Sequence, residues 1–284
     1  MAKASFQIST KKKVSLLDFD PDYTGKFEDQ KDAEQKLSEG IKRLAELQEL
    51  LYAQGKQALL LIFQGMDTSG KDGMIKHVMS GVNPQGCEVH SFKQPSMEEL
   101  DHDYLWRHAK VLPPRGKIGI FNRSYYEELT VTRVHKEILE RQKLPPLKKA
   151  DLWTQRHEQI NNFEKYLVEN GTAVLKFFLY ISKDEQKNRL MKRLSIKEKH
   201  WKFNVSDIRE RQFWHSYMAA YEDIFSHTGT SYAPWYIIPA NHKWSARVEI
   251  ANAIVAKLES LKLKFPKLTP KGEKNLLVAR TQLK

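Results

Sequence analysis

The feature that most constrains the fold is a short apolar run followed at once by a glycine-rich turn. Residues 58–63 (ALLLIF) carry no polar side chain, which is typical of a strand buried on both faces in a parallel sheet. The next segment, GMDTSGKDG (65–73), has the spacing G-x-x-x-x-G-K, and an amphipathic stretch follows over 71–79. The order strand, glycine turn and helix predicts a loop whose backbone N–H groups surround phosphate oxygens.

The charged side chains of this loop refine that prediction. Lys71 can follow phosphate oxygens as a point charge, and the glycines let the backbone curl around the anion. Position 72 is Asp, where a nucleotide-binding loop usually has Ser or Thr as a Mg²⁺ ligand. Carboxylates beside phosphate need an intervening cation, so we assign a metal role to Asp67. For Asp72 we favour the simpler interpretation, a carboxylate in the first turn of a helix.

Four more strand-like runs recur at the spacing of βαβ units. They lie at 88–92, 118–121, 173–181 and 235–238. Helical patterns separate them, at 96–111, 125–141, 151–169 and 183–194, and further helices are predicted at 27–54 and 244–263. This alternation predicts an α/β fold with a five-stranded parallel sheet sandwiched by helices.

The pattern divides the chain into three parts. Residues 1–25 are predicted to be an N-terminal arm, 26–265 a single α/β domain, and 266–284 a basic, peripheral tail. Residues 183–226 are long for one crossover between strands. They are either a helical excursion hinged over the sheet or a helical hairpin packed on it.

The charge balance restricts the partners. Lys and Arg number 47 and Asp and Glu 35, which gives a net charge of +12 and a pI near 9.5. This excess favours an anionic partner such as nucleic acid, an acidic membrane or a phosphate-rich substrate. One cysteine, Cys87, excludes an internal disulfide framework, and no apolar run is long enough to cross a bilayer. We therefore expect a cytoplasmic protein with no membrane partner.

A second polar cluster follows the strand at 118–121. Asn122, Arg123 and Glu127 come directly after that strand, and ligands of open α/β sheets bind beyond the carboxyl ends of strands. We expect these side chains to lie near the glycine loop. Arg123 suits phosphate, the Asn122 oxygen suits a metal or its water, and Glu127 could hold a metal-bound water or a substrate hydroxyl.

Together, the loop and the second cluster carry a resemblance. GMDTSGKDG (65–73) and IFNRSYYEELTVTRVH (120–135), followed by EKHWKF (198–203) and APWYIIPANHKW (233–244), resemble the family-2 polyphosphate kinases over residues 25–265. The resemblance implies a P-loop kinase-like fold with a helical lid at about 183–226. It also implies phosphoryl transfer between inorganic polyphosphate and nucleotides with Mg²⁺, or Mn²⁺ as an alternative.

The resemblance assigns roles to individual residues. Asp67 and Asn122 would hold the metal, and Asp67, Lys71, Asn122, Arg123 and Glu127 would form the catalytic set. The polyphosphate-binding residues would be Thr68, Ser69, Gly70, Lys71, Asp72, Gly73, Arg189 and Arg193. The nucleotide would be bound by Arg123, Glu127 and Arg133.

The same resemblance narrows the activity. Asn122 combined with Glu127 is similar to the class III subgroup, which phosphorylates both AMP and ADP to yield ADP and ATP. Without the resemblance, Arg189 and Arg193 would be interpreted as a solvated basic helix surface. We also expect a homo-oligomer and no specific nucleic-acid partner.

Two other functions remain open from the residues. An ATP-dependent nucleoside or nucleotide kinase is the main alternative, although Asp72 stands where its hydroxyl ligand would be. A nucleic-acid-binding protein that uses the +12 charge would show salt-sensitive binding.

Overall fold

The computed structural model of the chain describes residues 6–9, 12–25, 27, 29–145 and 152–283. One six-stranded sheet forms the centre, in the order β1-β6-β5-β2-β4-β3. Its strands are β1 (Gln7–Ile8), β2 (Ala58–Gln64), β3 (Cys87–Ser91), β4 (Ile118–Asn122), β5 (Thr172–Tyr180) and β6 (Trp235–Pro239). The five predicted parallel strands are confirmed, and the sequence pattern missed the short β1, which pairs antiparallel with β6 at the edge.

Helices cover both faces of this sheet. All seven residues of β2 are buried, and because neighbouring side chains of a strand point to opposite faces, both faces must be covered. The helices are α1 (Gln30–Gln54), α2 (Lys71–Val78), α3 (Met97–Leu100), α4 (Trp106–Ala109), α5 (Glu127–Val134), α6 (Lys136–Arg141), α7 (Leu152–Glu169), α8 (Lys183–Ser195), α9 (Val205–Glu210), α10 (Trp214–Thr228), α11 (Lys243–Ser260) and α12 (Pro270–Gln282). Helices α1, α2 and α11 pack together, and α5, α7 and α10 form a second group.

Two predicted helices are interrupted. The stretch 96–111 forms only the single turns α3 and α4, because the Asp103 side chain accepts a hydrogen bond from the Leu105 N–H and so competes with continuous helix. The stretch 125–141 breaks at His135, whose backbone leaves the helical region.

The chain ends differ in how they contact the domain. In the described part of the arm, Val14 and Leu16 are buried, and the Leu16 N–H donates to Glu222 at 2.6 Å. This part docks on the core; residues 1–5, 10 and 11 of the predicted arm lie outside the described residues. At the other end, α12 contains no buried residue. None of the described helices combines the length and apolar character that a membrane span requires.

A buried ion pair underlies the second polar cluster. Lys176 of β5 and Glu164 of α7 are both fully buried and lie 2.6 Å apart. Glu164 accepts hydrogen bonds from the hydroxyls of Tyr125 and Tyr126 at 2.9 Å each, and Lys176 also donates to the Thr228 carbonyl. The charged groups of Lys176 and Glu164 are thus matched by partners, and this network holds the two tyrosines that precede α5.

Removing one partner of this pair should strongly destabilise the fold. We expect Lys176→Met to lower the free energy of unfolding by about 3–5 kcal/mol, because it leaves the Glu164 carboxylate buried without a countercharge. Urea unfolding followed by circular dichroism measures the change. Lys165→Met, at an exposed lysine of α7, is the matched control and should change stability by less than about 1 kcal/mol. Equal effects of the two substitutions would contradict the role of the pair.

Candidate active site

The glycine loop between β2 and α2 has a backbone that few residues can adopt. Gly65, Thr68 and Gly70 have φ angles of 147°, 66° and 105°. A side chain at Gly65 would place its Cβ 2.8 Å from the Ser69 hydroxyl and 2.9 Å from the Leu179 carbonyl, so only glycine fits there. The loop therefore curls tightly at the carboxyl end of β2, as the sequence predicted.

Lys71 lies inside this loop. Its Nζ donates to the carbonyls of Gly65 at 2.7 Å and Met66 at 3.2 Å. Burial, reinforced by the nearby Arg123 charge, lowers the pKa of Lys71 to about 8. The ammonium group is held inside the loop by these carbonyls, and its charge depends on pH near neutrality.

The second cluster meets the loop through the sheet register. Phe63 of β2 pairs with Asn122 of β4, so the residues after both strands are neighbours. Arg123 Nη2 lies 2.7 Å from Asp67 Oδ1, and Arg123 Nη1 lies 3.8 Å from Glu127 Oε2. The structure thus brings Asp67, Arg123 and Glu127 together beside Lys71.

Asn122 and Asp72 form the outer side of this group. Asn122 Nδ2 donates to Asp72 Oδ1 at 2.8 Å, and Lys202 lies 3.4 Å from Asp72 Oδ2. Partial burial would raise the pKa of Asp72, but the Asn122 hydrogen bond and the Lys202 charge outweigh it and lower the pKa. Asp72 occupies the first turn of α2, as expected.

The oxygens of this group suit a hard divalent cation. Asp67 uses one carboxylate oxygen for Arg123, and Asn122 uses its amide nitrogen for Asp72, so neither hydrogen bond occupies the second carboxylate oxygen of Asp67 or the amide oxygen of Asn122. Carboxylate and amide oxygens are the donors that Mg²⁺ accepts. The residues present therefore fit such an ion.

Glu127 is a carboxylate in a confined position. Burial raises its pKa, and the charges of Arg123 and Lys71 oppose that rise. It begins α5 and faces the loop. A carboxylate held there can accept a hydrogen bond from a substrate hydroxyl or from a metal-bound water.

Arg189 supports the loop from behind. The donors of its guanidinium bind the carbonyls of Thr68, Ser69, Ala240 and Asn241 and the carboxylate of Glu185. All five N–H groups of an arginine are used by such a set. In this conformation Arg189 fixes the loop backbone and does not present donors to a ligand, which differs from the polyphosphate contact expected for it.

Arg193 takes a more accessible position one turn later. It pairs with Asp207 of α9 at 2.9 Å. Burial and the proximity of Asp67 raise the pKa of Asp207, so the carboxylate lies within electrostatic reach of the loop. Within residues 183–226, α10 packs on the core, whereas the segment 197–213 is largely exposed and contacts Asp72 through Lys202.

Arg133 does not join this group. It pairs with Asp223 of α10, and its guanidinium lies 5.5 Å from the ring centre of Trp153. The expected contact between Arg133 and a nucleotide finds no support in this arrangement.

Two residues at the site were not predicted from the sequence. Gln186 donates to the Asp67 carbonyl at 3.2 Å, and the Tyr221 hydroxyl hydrogen-bonds with the backbone of Gly65. Burial, together with Glu127, raises the pKa of Tyr221 well above its usual value. Gln186 lies on the helix predicted at 183–194, and Tyr221 lies in the less defined stretch 183–226, but no sequence signal distinguishes either residue from an ordinary packing residue.

A parallel sheet, a curled glycine loop with a buried lysine, and an arginine among carboxylates define a phosphoryl-transferring protein of the P-loop kinase class. A sequence model described as Polyphosphate kinase 2 (PPK2) matches residues 27–266. The chain belongs to the polyphosphate kinase 2 family.

Similar proteins cover nearly the whole chain. An "ADP-polyphosphate phosphotransferase" of Rhodopseudomonas palustris is 46% identical over 280 residues, covering 98% of this chain and 97% of its own. An "AMP/ADP-polyphosphate phosphotransferase" of Meiothermus ruber is 43% identical, covering 95% and 97%. The crystal structure of polyphosphate kinase 2 from Arthrobacter aurescens TC1 superposes with a TM-score of 0.85 at 41% identity, covering 94% and 93%.

The lowered pKa of Lys71 predicts a pH dependence. Below about pH 8 the ammonium is charged and attracts phosphate; as the pH rises through 8 the charge is lost. We expect kcat/KM for polyphosphate to fall about tenfold per pH unit above that value, because this ratio reports ionisation of the free enzyme. In Lys71→Arg the guanidinium stays charged, so the decline should disappear, even if the maximal rate is lower. A wild-type profile that matches that of Lys71→Arg would contradict this assignment.

The two arginines of α8 should respond differently to substitution. Arg189→Met should lower the free energy of unfolding by about 3 kcal/mol or more, because several carbonyls lose a charged donor. Arg193→Met should cost less than about 1 kcal/mol and instead raise KM for polyphosphate. Urea unfolding and steady-state kinetics of both variants test this. A stable Arg189→Met protein with only a raised KM would assign Arg189 to the ligand instead.

Proposed function

We propose that this protein transfers phosphoryl groups reversibly from inorganic polyphosphate to AMP and ADP, forming ADP and ATP, with Mg²⁺. The observation that carries the proposal is the 2.7 Å contact of Asp67 with Arg123 beside the buried Lys71. Family membership and the activities for which the two relatives are named support the donor and the acceptors. Asn122 together with Glu127 supports the use of both AMP and ADP.

The residues provide the positioning that this reaction needs. The loop residues 68–73 bind the end of the polyphosphate through backbone N–H groups and Lys71, and Arg123 lies between donor and acceptor phosphates. The bond between the terminal phosphorus and the bridging oxygen of the chain breaks, and its electron pair stays on the shortened polyphosphate. A new bond forms to an oxygen of the acceptor phosphate. That oxygen is ionised near neutral pH, so no base has to remove a proton.

The remaining residues control charge and water. Asp67 and Asn122 would hold the metal, and Glu127 would orient the acceptor. When bound, Mg²⁺ supplies positive charge that lowers the repulsion between two anions. Within the lid expected at about 183–226, closure of the outward segment 197–213, with Arg193 over the phosphates, would exclude water and so limit hydrolysis of the donor.

The alternative, an ATP-dependent nucleoside or nucleotide kinase, is not favoured. Asp72 replaces the hydroxyl that such loops use, and it is bound to Asn122. The family and its relatives instead support polyphosphate as the donor. A homo-oligomeric state and a cytoplasmic location stay predictions.

The decisive assay uses purified protein with AMP, polyphosphate and Mg²⁺, with nucleotides separated by chromatography. We expect ADP and then ATP, and Asp67→Asn should lower kcat by about 10²–10³-fold, since a preorganised charged group at the reacting phosphates is lost. Asp18→Asn, at an exposed aspartate of the N-terminal arm, is the control and should keep full activity. Absence of product, or full activity of Asp67→Asn, would overturn the proposal. Turnover with ATP and a nucleoside but not with polyphosphate would favour the alternative kinase.

A further inference from the structure

A second group of metal-binding side chains lies away from the glycine loop, between α7 and α10. His157 of α7 and Asp223 and His227 of α10 each offer one ligand atom, and these atoms lie within 4.8 Å of one another. His157 Nε2 is 3.6 Å from Asp223 Oδ2, and His227 Nδ1 is 3.1 Å from Asp223 Oδ1. Adjacent ligand atoms around tetrahedral zinc are about 3.3 Å apart, because Zn–N and Zn–O bonds are about 2.0–2.2 Å.

We propose that His157, Asp223 and His227 form a site for a divalent transition metal of the zinc type, distinct from the Mg²⁺ site at Asp67. Two imidazoles and one carboxylate are donors that zinc-type ions accept, and the imidazoles disfavour Mg²⁺, which prefers oxygen. The fourth position would be taken by water.

The surroundings agree with such a site. Arg133 pairs with Asp223 and so fixes the orientation of the carboxylate, as hydrogen-bonded partners of metal ligands commonly do. The ligand group opens to a cavity of about 430 Å³ lined by Lys13, Val14, Glu222, Asp223, Ser226 and His227, which gives an ion access from solvent. Glu222 offsets the charge of Lys13 in that lining.

Binding would require only a small rearrangement. The rings of His157 and His227 are stacked with centres 4.8 Å apart, and His227 Nδ1 bonds to the Asp223 carbonyl at 2.8 Å. The His227 side chain is 57% exposed, so it can rotate to direct a lone pair at the ion, whereas His157 is held in place by burial. A bound ion would tie α7 to α10.

The test measures Co²⁺ and Zn²⁺ binding to the untagged full-length protein in excess Mg²⁺, so that hard-cation sites are filled. We expect one equivalent of Co²⁺ with the intense visible absorption of tetrahedral cobalt, displaced by Zn²⁺, and a higher melting temperature with Zn²⁺. His227→Ala removes an exposed ligand without disturbing the core. Its affinity should fall by at least the roughly 10–100-fold typical when a group that only orients a ligand is lost.

Two control variants separate this site from others. His215→Ala removes an exposed imidazole of the same helix, and Asp67→Asn alters the proposed Mg²⁺ site; both should bind Co²⁺ like the wild type. The proposal is overturned if the wild type binds no Co²⁺ over Mg²⁺, or if His227→Ala binds it as tightly. It is also overturned if His215→Ala or Asp67→Asn weakens binding as much as His227→Ala does.

Discussion

The parallel register of β2 with β4 is the constraint on which the site depends. Phe63 pairs with Asn122, so the chain leaves both strands at the same edge of the sheet. The Arg123 N–H continues the pairing by donating to the Phe63 carbonyl at 2.9 Å, and Arg123 itself has a φ of 65°. This turn directs its guanidinium back toward Asp67. Two segments that lie more than 50 residues apart in sequence thereby share one group of charges.

Buried polar contacts hold the glycine loop and the residues after β4 in place. Lys176 and Glu164 anchor the two tyrosines that follow Arg123, and Arg189 binds the carbonyls of the loop. In both cases a charged group in the protein interior is stabilised by a full set of partners, since an unpaired charge there would cost several kcal/mol. The loop backbone is therefore held by contacts within the protein itself, which is what preorganised charge stabilisation requires.

Helix α10 contacts or adjoins the glycine loop, the segment 197–213, α5 and α7. Its Tyr221 contacts the loop backbone, its start adjoins the outward segment 197–213, and Asp223 and His227 face α7 on another side. Arg133 links the same helix to α5, at the opposite end from Glu127. A change that shifts α10 would reach the loop, the segment 197–213 and α5 together, because each of them contacts or adjoins this one helix.

The sequence alone determined the parallel sheet, the glycine loop and the residues Asp67, Lys71, Asn122, Arg123 and Glu127 as one group, because continuous apolar runs and glycine spacing are local signals. Only the tertiary structure decided which partners the individual side chains contact. Arg189 and Arg193 share a helix face in sequence, yet one lies under the loop with all its donors used and the other faces Asp207. The contacts of Arg133, of Tyr221 and of the docked part of the arm were also decided by the tertiary structure. Their partners lie on distant segments, and the contacts that a side chain makes depend on packing between elements, which the period of one helix cannot specify.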